Sequence, residues 1–180
     1  VNPNDEEAIK RIINYPARGI GDTTVNRLIF LANQHGARLF DIIKNARNFP
    51  ELGSGAAKVE TFSQMMQSFM AMNETHDAFA LATHVAKQSG VLRLLYEDKS
   101  VEGLSHYENI TELLNGIQEF VEDDESDKEK ILANFLEEVA LYTDEKKEKD
   151  EDRDCVSLMT IHASKGLEFP IVHIVGLEEN

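Results

Sequence analysis

The sequence predicts a mainly α protein. An all-helical domain with a helix-hairpin-helix-like turn spans residues 1–150, and a short β remnant of an α/β domain follows over 151–180. Three observations predict this. Apolar residues recur at spacings of three and four through most of the chain, the period of a helix with one buried face. Two runs near the C-terminus, Val156–Ile161 and Ile171–Val175, are instead short, β-branched and apolar, as buried strands are. Between the two patterns lies Asp144–Asp154, eleven charged residues in a row.

The elements follow in order. Asn4 is expected to cap a first helix, with Glu7 at the capping-box position and Ile9, Ile12 and Ile13 on its apolar face. Tyr15-Pro16 ends it, because the residue before proline is pushed out of the helical region. A second helix starts at Asp22 as N-cap, carries Val25, Leu28, Ile29 and Ala32, and stops near Gly36. Leu39, Ile42 and Ile43 mark a third, and the stretch from Asn48 to Gly55 reads as a loop. Val59, Phe62, Met66, Phe69 and Met72 stripe a long helix. Shorter helices cover Ala78–Gln88 and Val91–Glu97; two more carry Ile110 to Val121 and Ile131 to Ala140. Charge runs such as Asp144–Asp154 are expected to stay solvated, since they hold nothing apolar to bury.

Composition bounds the function. The chain has 180 residues, 42% of them hydrophobic, enough for a sizeable core and too many for wholesale disorder. No apolar run approaches the roughly 18 residues that span a bilayer, so no membrane partner is expected. The single cysteine, Cys155, excludes a disulfide framework and fits a cytoplasmic setting. With 33 acidic and 18 basic residues the net charge is −15, an unusual balance for a phosphate binder. Residues 1–48 are the exception, with seven basic against five acidic residues, so a phosphate-facing surface is expected there. No metal-ligand spacing, nucleophile or catalytic carboxylate pair occurs, and G-x-x-x-x-G-K-[ST] is absent.

Two constellations carry chemistry. In Arg18-Gly19-Ile20-Gly21-Asp22-Thr23, glycines flank one apolar residue between two helices. Glycines let the backbone approach a ligand, and the helix start after them directs free N–H groups at an anion. Arg18 and Thr23 are expected to add phosphate contacts, and a side chain at Gly21 to conflict with a positive φ as well as with the phosphate. Such contacts, if to a nucleic acid, read backbone and not bases, so binding would be sequence-independent. The second constellation, Thr160 to Phe169, joins the two predicted strands at a place where open α/β sheets bind ligands. Its lysine, glycine and hydroxyls suit phosphate, and Glu168 suits a ribose hydroxyl. The alternative reading is an acidic protein-interaction module in which the glycine turn is purely structural.

At these residues the sequence resembles the UvrD/PcrA/Rep-type superfamily 1 DNA helicases. Val156–Glu179 (VSLMTIHASKGLEFPIVHIVGLEE) is similar to their motif V. Asn2–Leu28 resembles the start of their 2B subdomain, and His106–Ile117 a further 2B motif in which Glu108-Asn109 precedes a helix. The resemblance implies that residues 1–150 form a 2B-type subdomain inserted in the second RecA-like motor domain, of which 151–180 would be a fragment. It implies an ATP-dependent 3′→5′ DNA helicase with ATP and Mg²⁺ as cofactors, and duplex DNA, single-stranded DNA and the rest of the helicase chain as partners. Gly19, Ile20 and Gly21 match the turn that holds duplex ahead of the fork. Thr160 and His162 match positions near the single strand, and Gly166 and Glu168 positions beside the nucleotide. The phosphate loop, the acidic ATPase pair and motif VI would lie before Val1 and after Asn180, so no catalytic residue and no ATP hydrolysis are expected of this chain.

Overall fold

The fold was analysed in a computed structural model that describes residues 2–123, 128–148, 156, 158–160, 164 and 168–175, with 142–148 as backbone only. The chain divides into two units, Val1–Leu141 and Tyr142–Asn180.

The first unit opens with α1 (Glu6–Ile12), capped by Asp5, whose carboxylate accepts from the Ala8 N–H at 2.9 Å. The cap lies one residue after the expected Asn4, because Asn4 Oδ1 is taken by the Arg38 guanidinium at 2.6 Å. Glu7 pairs with Lys10 at 2.8 Å, one turn on, rather than closing a capping box. After the glycine turn come α2 (Asp22–His35) and α3 (Leu39–Lys44). The N-cap of α2 is Gly21, so Asp22 is its first helical residue instead of its cap. At its far end Gly36 adopts the left-handed conformation (φ 58°) and its N–H returns to Ala32 and Asn33, a glycine stop where the sequence places one. The expected loop is two 3₁₀ turns, Ala46–Asn48 and Pro50–Leu52, leading into α4 (Gly55–Asn73).

These four helices enclose one core. Ile9, Ile13, Ile20, Leu28, Leu31, Leu39, Ile43, Leu52, Val59 and Phe62 are all 5% exposed or less. Each such side chain contributes on the order of 1.5–3 kcal/mol on leaving water.

The chain continues in α5 (Ala78–Gln88), α6 (Val91–Glu97), α7 (Val101–Glu122) and α8 (Leu132–Glu148). Here α4 packs on α5, and α5 and α6 both pack on α7. A second cluster gathers Ala78, Ile117 and Phe120 against Phe79, Val121, Leu132 and Phe135, with the Phe120 and Phe135 rings edge to face at 5.5 Å. Glu108-Asn109 lies inside α7 rather than ahead of a helix. Ser100 caps α7, accepting from the Gly103 N–H at 2.9 Å, and Asp98 occupies the space a Gly103 side chain would need.

Near the C-terminus the last helix outlasts its apolar stripe, and the strand expectation is corrected. α8 runs on through Glu148, into the charge run, whose Glu and Lys are strong helix formers uninterrupted by Gly or Pro. Its remainder, 149–154, lies outside the described residues. In the second unit, 158–160 and 171–175 carry no strand, and Val156, Leu158, Ile171 and Val175 are 77% exposed or more. A buried strand needs paired neighbours and covered faces, and two segments do not supply them.

Candidate nucleic-acid interface

The turn between α1 and α2 is built from inside. Asn14 sits just after α1, and its Oδ1 accepts from the backbone N–H groups of Arg18 at 2.8 Å and Ile20 at 3.1 Å. One side chain thus gathers the loop around itself, as short amide side chains do in turns. The Tyr15–Pro16 peptide bond within it is cis. Ile20 is 1% exposed and pins the tip of the turn into the core between two outward-facing glycines.

The two glycines differ. Gly19 has φ 69°, the left-handed region that only glycine enters without strain, and a β-carbon there would stand 2.7 Å from Lys58 Nζ. Gly21 has φ −79° and ψ 172°, and a β-carbon on it would meet nothing within 4 Å. The positive φ expected at Gly21 therefore belongs to Gly19. Gly21 instead keeps open the space in front of α2.

Behind that space, the Thr24 and Val25 N–H groups turn back to the Gly21 carbonyl at 2.9 and 3.1 Å. Among the described residues none accepts from the N–H of Gly21, Asp22 or Thr23. These are the unfilled donors of a helix start, where the dipole favours an anion. The Thr23 side chain is exposed beside them.

Arg18 is not exposed in the way the sequence suggested. Its guanidinium donates to the carbonyls of Ile12 at 2.9 Å, Tyr15 at 2.8 Å, Pro16 at 3.2 Å and Ser89 at 3.0 Å. It also lies over the Phe62 ring, 5.7 Å from the centroid. Burial lowers its pKa from the ordinary value. With three bonds from one terminal nitrogen and one from the other reaching carbonyls, Arg18 braces the turn from within. Phe62, Met65, Met66, Phe69 and Leu81 line the adjoining cleft of about 730 Å³, an apolar surface unsuited to phosphate.

Residues the sequence did not single out complete the turn. Lys58, in the first turn of α4, donates from Nζ to the Gly19 carbonyl at 3.1 Å. Gly55 brings α4 against α2 so closely that a β-carbon on it would lie 3.0 Å from Thr24 Cγ2. Asn14 was legible as a turn-forming amide, whereas Lys58 lies 39 residues from its acceptor and leaves no local signal.

The motif V positions fall in the second unit. Thr160 and Glu168 are exposed, and the Ser164 N–H donates to the Thr160 carbonyl at 3.1 Å. His162 and Gly166 lie outside the described residues. Among the described residues no cluster of His, Cys, Asp and Glu suits a metal ion, and no helix is long and apolar enough to cross a membrane.

The described residues define a mainly α protein whose glycine turn is braced at a helix start. The particular family is shown by comparison. Residues 1–180 match the family described as UvrD-like helicase C-terminal domain, and the chain belongs to that family. It is 32% identical over 183 residues to the ATP-dependent DNA helicase PcrA of Bacillus subtilis, and 36% identical over 184 residues to that of Leuconostoc citreum. To the DNA helicase II of Haemophilus influenzae it is 32% identical over 179 residues. Each match covers 99% of this chain and 24% of the relative, so the chain spans about a quarter of the length of these proteins.

Proposed function

We propose that this chain is the duplex-engaging part of an ATP-dependent 3′→5′ DNA helicase, with residues 1–150 as a 2B-type subdomain that regulates unwinding. The observation that carries the reading is the unfilled N–H group of Gly21, Asp22 and Thr23 behind a glycine with open space in front. Gly19, Ile20, Gly21 and Thr23 form the contact surface, and Arg18 serves it from behind. The family membership and the helicase names of the relatives support DNA as the partner.

Residues 151–180 are assigned as the motif V segment of a RecA-like domain. In that assignment Thr160 and His162 serve the contact with single-stranded DNA, and Gly166 and Glu168 the contact with the nucleotide. ATP and Mg²⁺ are the cofactors of the whole helicase, but the groups of this chain do not suffice to hold them. It has no phosphate-binding loop, and Asp144-Glu145 falls within α8, whereas a metal-binding acidic pair is expected at the end of an apolar strand. Hydrolysis therefore rests with the rest of the helicase chain.

The test is an anisotropy titration of a labelled blunt duplex across a salt series. Affinity in the weak, sequence-independent range, roughly 10⁻⁴–10⁻⁶ M, and falling steeply with salt supports the reading. No duplex binding at low salt, with salt-insensitive capture of another protein, would instead favour the acidic interaction module to which the net charge of −15 points.

A further inference from the structure

We propose that Lys58, and not Arg18, is the cation through which the glycine turn holds a DNA phosphate. The inference rests on the duplex reading above and names the side chain that completes its site.

The turn's own cation is drawn inward. Arg18 is committed to four carbonyls, and the charged residue at the start of α2 is Asp22, whose carboxylate opposes an anion. Backbone N–H groups alone must then overcome a repulsive neighbour. Lys58 removes that difficulty. Its side chain is exposed, and its Nζ reaches the turn by donating to the Gly19 carbonyl at 3.1 Å. An ammonium has three donors, so one bond to Gly19 leaves two for a phosphate oxygen. Among the described residues no carboxylate pairs with it, although Lys10, Lys44, Arg47 and Arg93 are all paired with acids.

Lys58 is also held in place. Gly55 and Thr24 pack the first turns of α4 and α2 together, so Lys58 projects from a rigid element onto the turn. Its bond to Gly19 preorganises the ammonium on the turn itself, two residues along the chain from the first of the unfilled N–H groups of Gly21 to Thr23. Lysine suits this as a compact point charge, where planar bidentate geometry is not required.

The experiment is the same duplex titration on the 180-residue chain and on Lys58→Met, Lys58→Arg and Gly21→Val, with circular dichroism on each. Lys58→Met is expected to weaken binding several-fold and to lower the slope of log K against log salt by about 0.9, the loss of one phosphate contact. Lys58→Arg is expected to keep most of the affinity and the full slope. If Gly21→Val loses binding while Lys58→Met keeps the original affinity and slope, the inference fails and the duplex reading stands. A weakened Lys58→Met with an unchanged slope also overturns it, since Lys58 would then only position the turn. Should neither substitution alter binding, the duplex reading itself fails.

Discussion

The Arg18 guanidinium donates to the Ser89 carbonyl at 3.0 Å, across 71 residues of sequence. Ser89 is the C-cap of α5, so this bond ties the turn after α1 to the junction of α5 and α6. The turn is thereby anchored at both sides: Arg18 below, onto α5, and Lys58 at its tip, from α4.

Replacing Arg18 should consequently be a stability change first. Arg18→Ala takes the donor away from four carbonyls and removes the cation over Phe62. Water satisfies some of them, because Arg18 is half-buried, and a loss of about 1–3 kcal/mol is expected. Urea denaturation followed by circular dichroism measures it. The salt slope of duplex binding by the remaining folded protein should stay as it was, which distinguishes Arg18 from Lys58.

Asn14 offers an independent check on how the turn is held. Asn14→Ala deletes the acceptor shared by the Arg18 and Ile20 N–H groups, at a cost of about 1 kcal/mol. Asn14→Asp keeps the acceptor and should recover most of that loss. Equal destabilisation by the two substitutions would show that the amide is not acting as the acceptor.

Much of this was legible in sequence where physics is local. The spacing of Ile9, Leu28, Val59 and Phe62 exposed the first core, and Gly36 exposed the end of α2, because periodicity and left-handed caps are properties of short segments. The Arg18-to-Thr23 segment was visible as a glycine turn for the same reason. What was hidden depended on partners far along the chain. A sequence shows an arginine beside a turn but not the Ser89 carbonyl that draws it inward. The cap of α1 moved to Asp5 because Arg38 claims Asn4, a contact across 34 residues. The β-branched runs after Val156 read as strands, yet strand pairing is set by neighbours, and propensity alone does not supply them.

The junction of α6 and α7 predicts a pH effect. The Ser100 hydroxyl and then the Ser100 N–H, the latter at 3.0 Å, bond the Asp98 carboxylate and hold its pKa below the ordinary 3.8. A carboxyl group depressed on folding adds stability above its unfolded pKa, and that contribution disappears as pH falls through the folded value. Asp98 therefore steadies this junction at neutral pH, and its contribution begins to fall below about pH 4, the unfolded value, and is gone once pH passes below the depressed folded value. Asp98→Asn should flatten the acid limb of a stability-against-pH curve. An acid limb identical to that of the unmodified chain would count against the assignment.

ATP turnover supplies a prediction about the chain as a whole. Neither the sequence motifs nor the acidic pair in α8 provides the phosphate loop and Mg²⁺ ligands that phosphoryl transfer needs. A coupled assay with single-stranded DNA present should read only background. Turnover that persists after purification to constant specific activity would contradict the division of labour proposed for the helicase.

The two glycines of the turn should separate stability from binding. At Gly19, alanine must accept φ 69° and displace Lys58 Nζ from 2.7 Å, so Gly19→Ala should cost about 1 kcal/mol or more. At Gly21, φ is −79° and a β-carbon meets open space, so Gly21→Ala meets neither strain nor clash and should cost about 0.5–1 kcal/mol, because alanine is a poorer N-cap than glycine. Binding should follow the opposite order of cause. Gly21→Val leaves the fold in place but sets a branched side chain in front of the Asp22 and Thr23 N–H groups, where the phosphate must sit. Its duplex affinity should fall by more than the modest loss of stability from a poorer N-cap accounts for, with the folded circular dichroism spectrum retained. For Gly19→Ala, any binding loss should accompany the loss of stability and the displacement of Lys58. If Gly21→Val binds duplex like the unmodified chain at low salt, the open space before α2 is not a phosphate seat, and the turn is only a connection between helices.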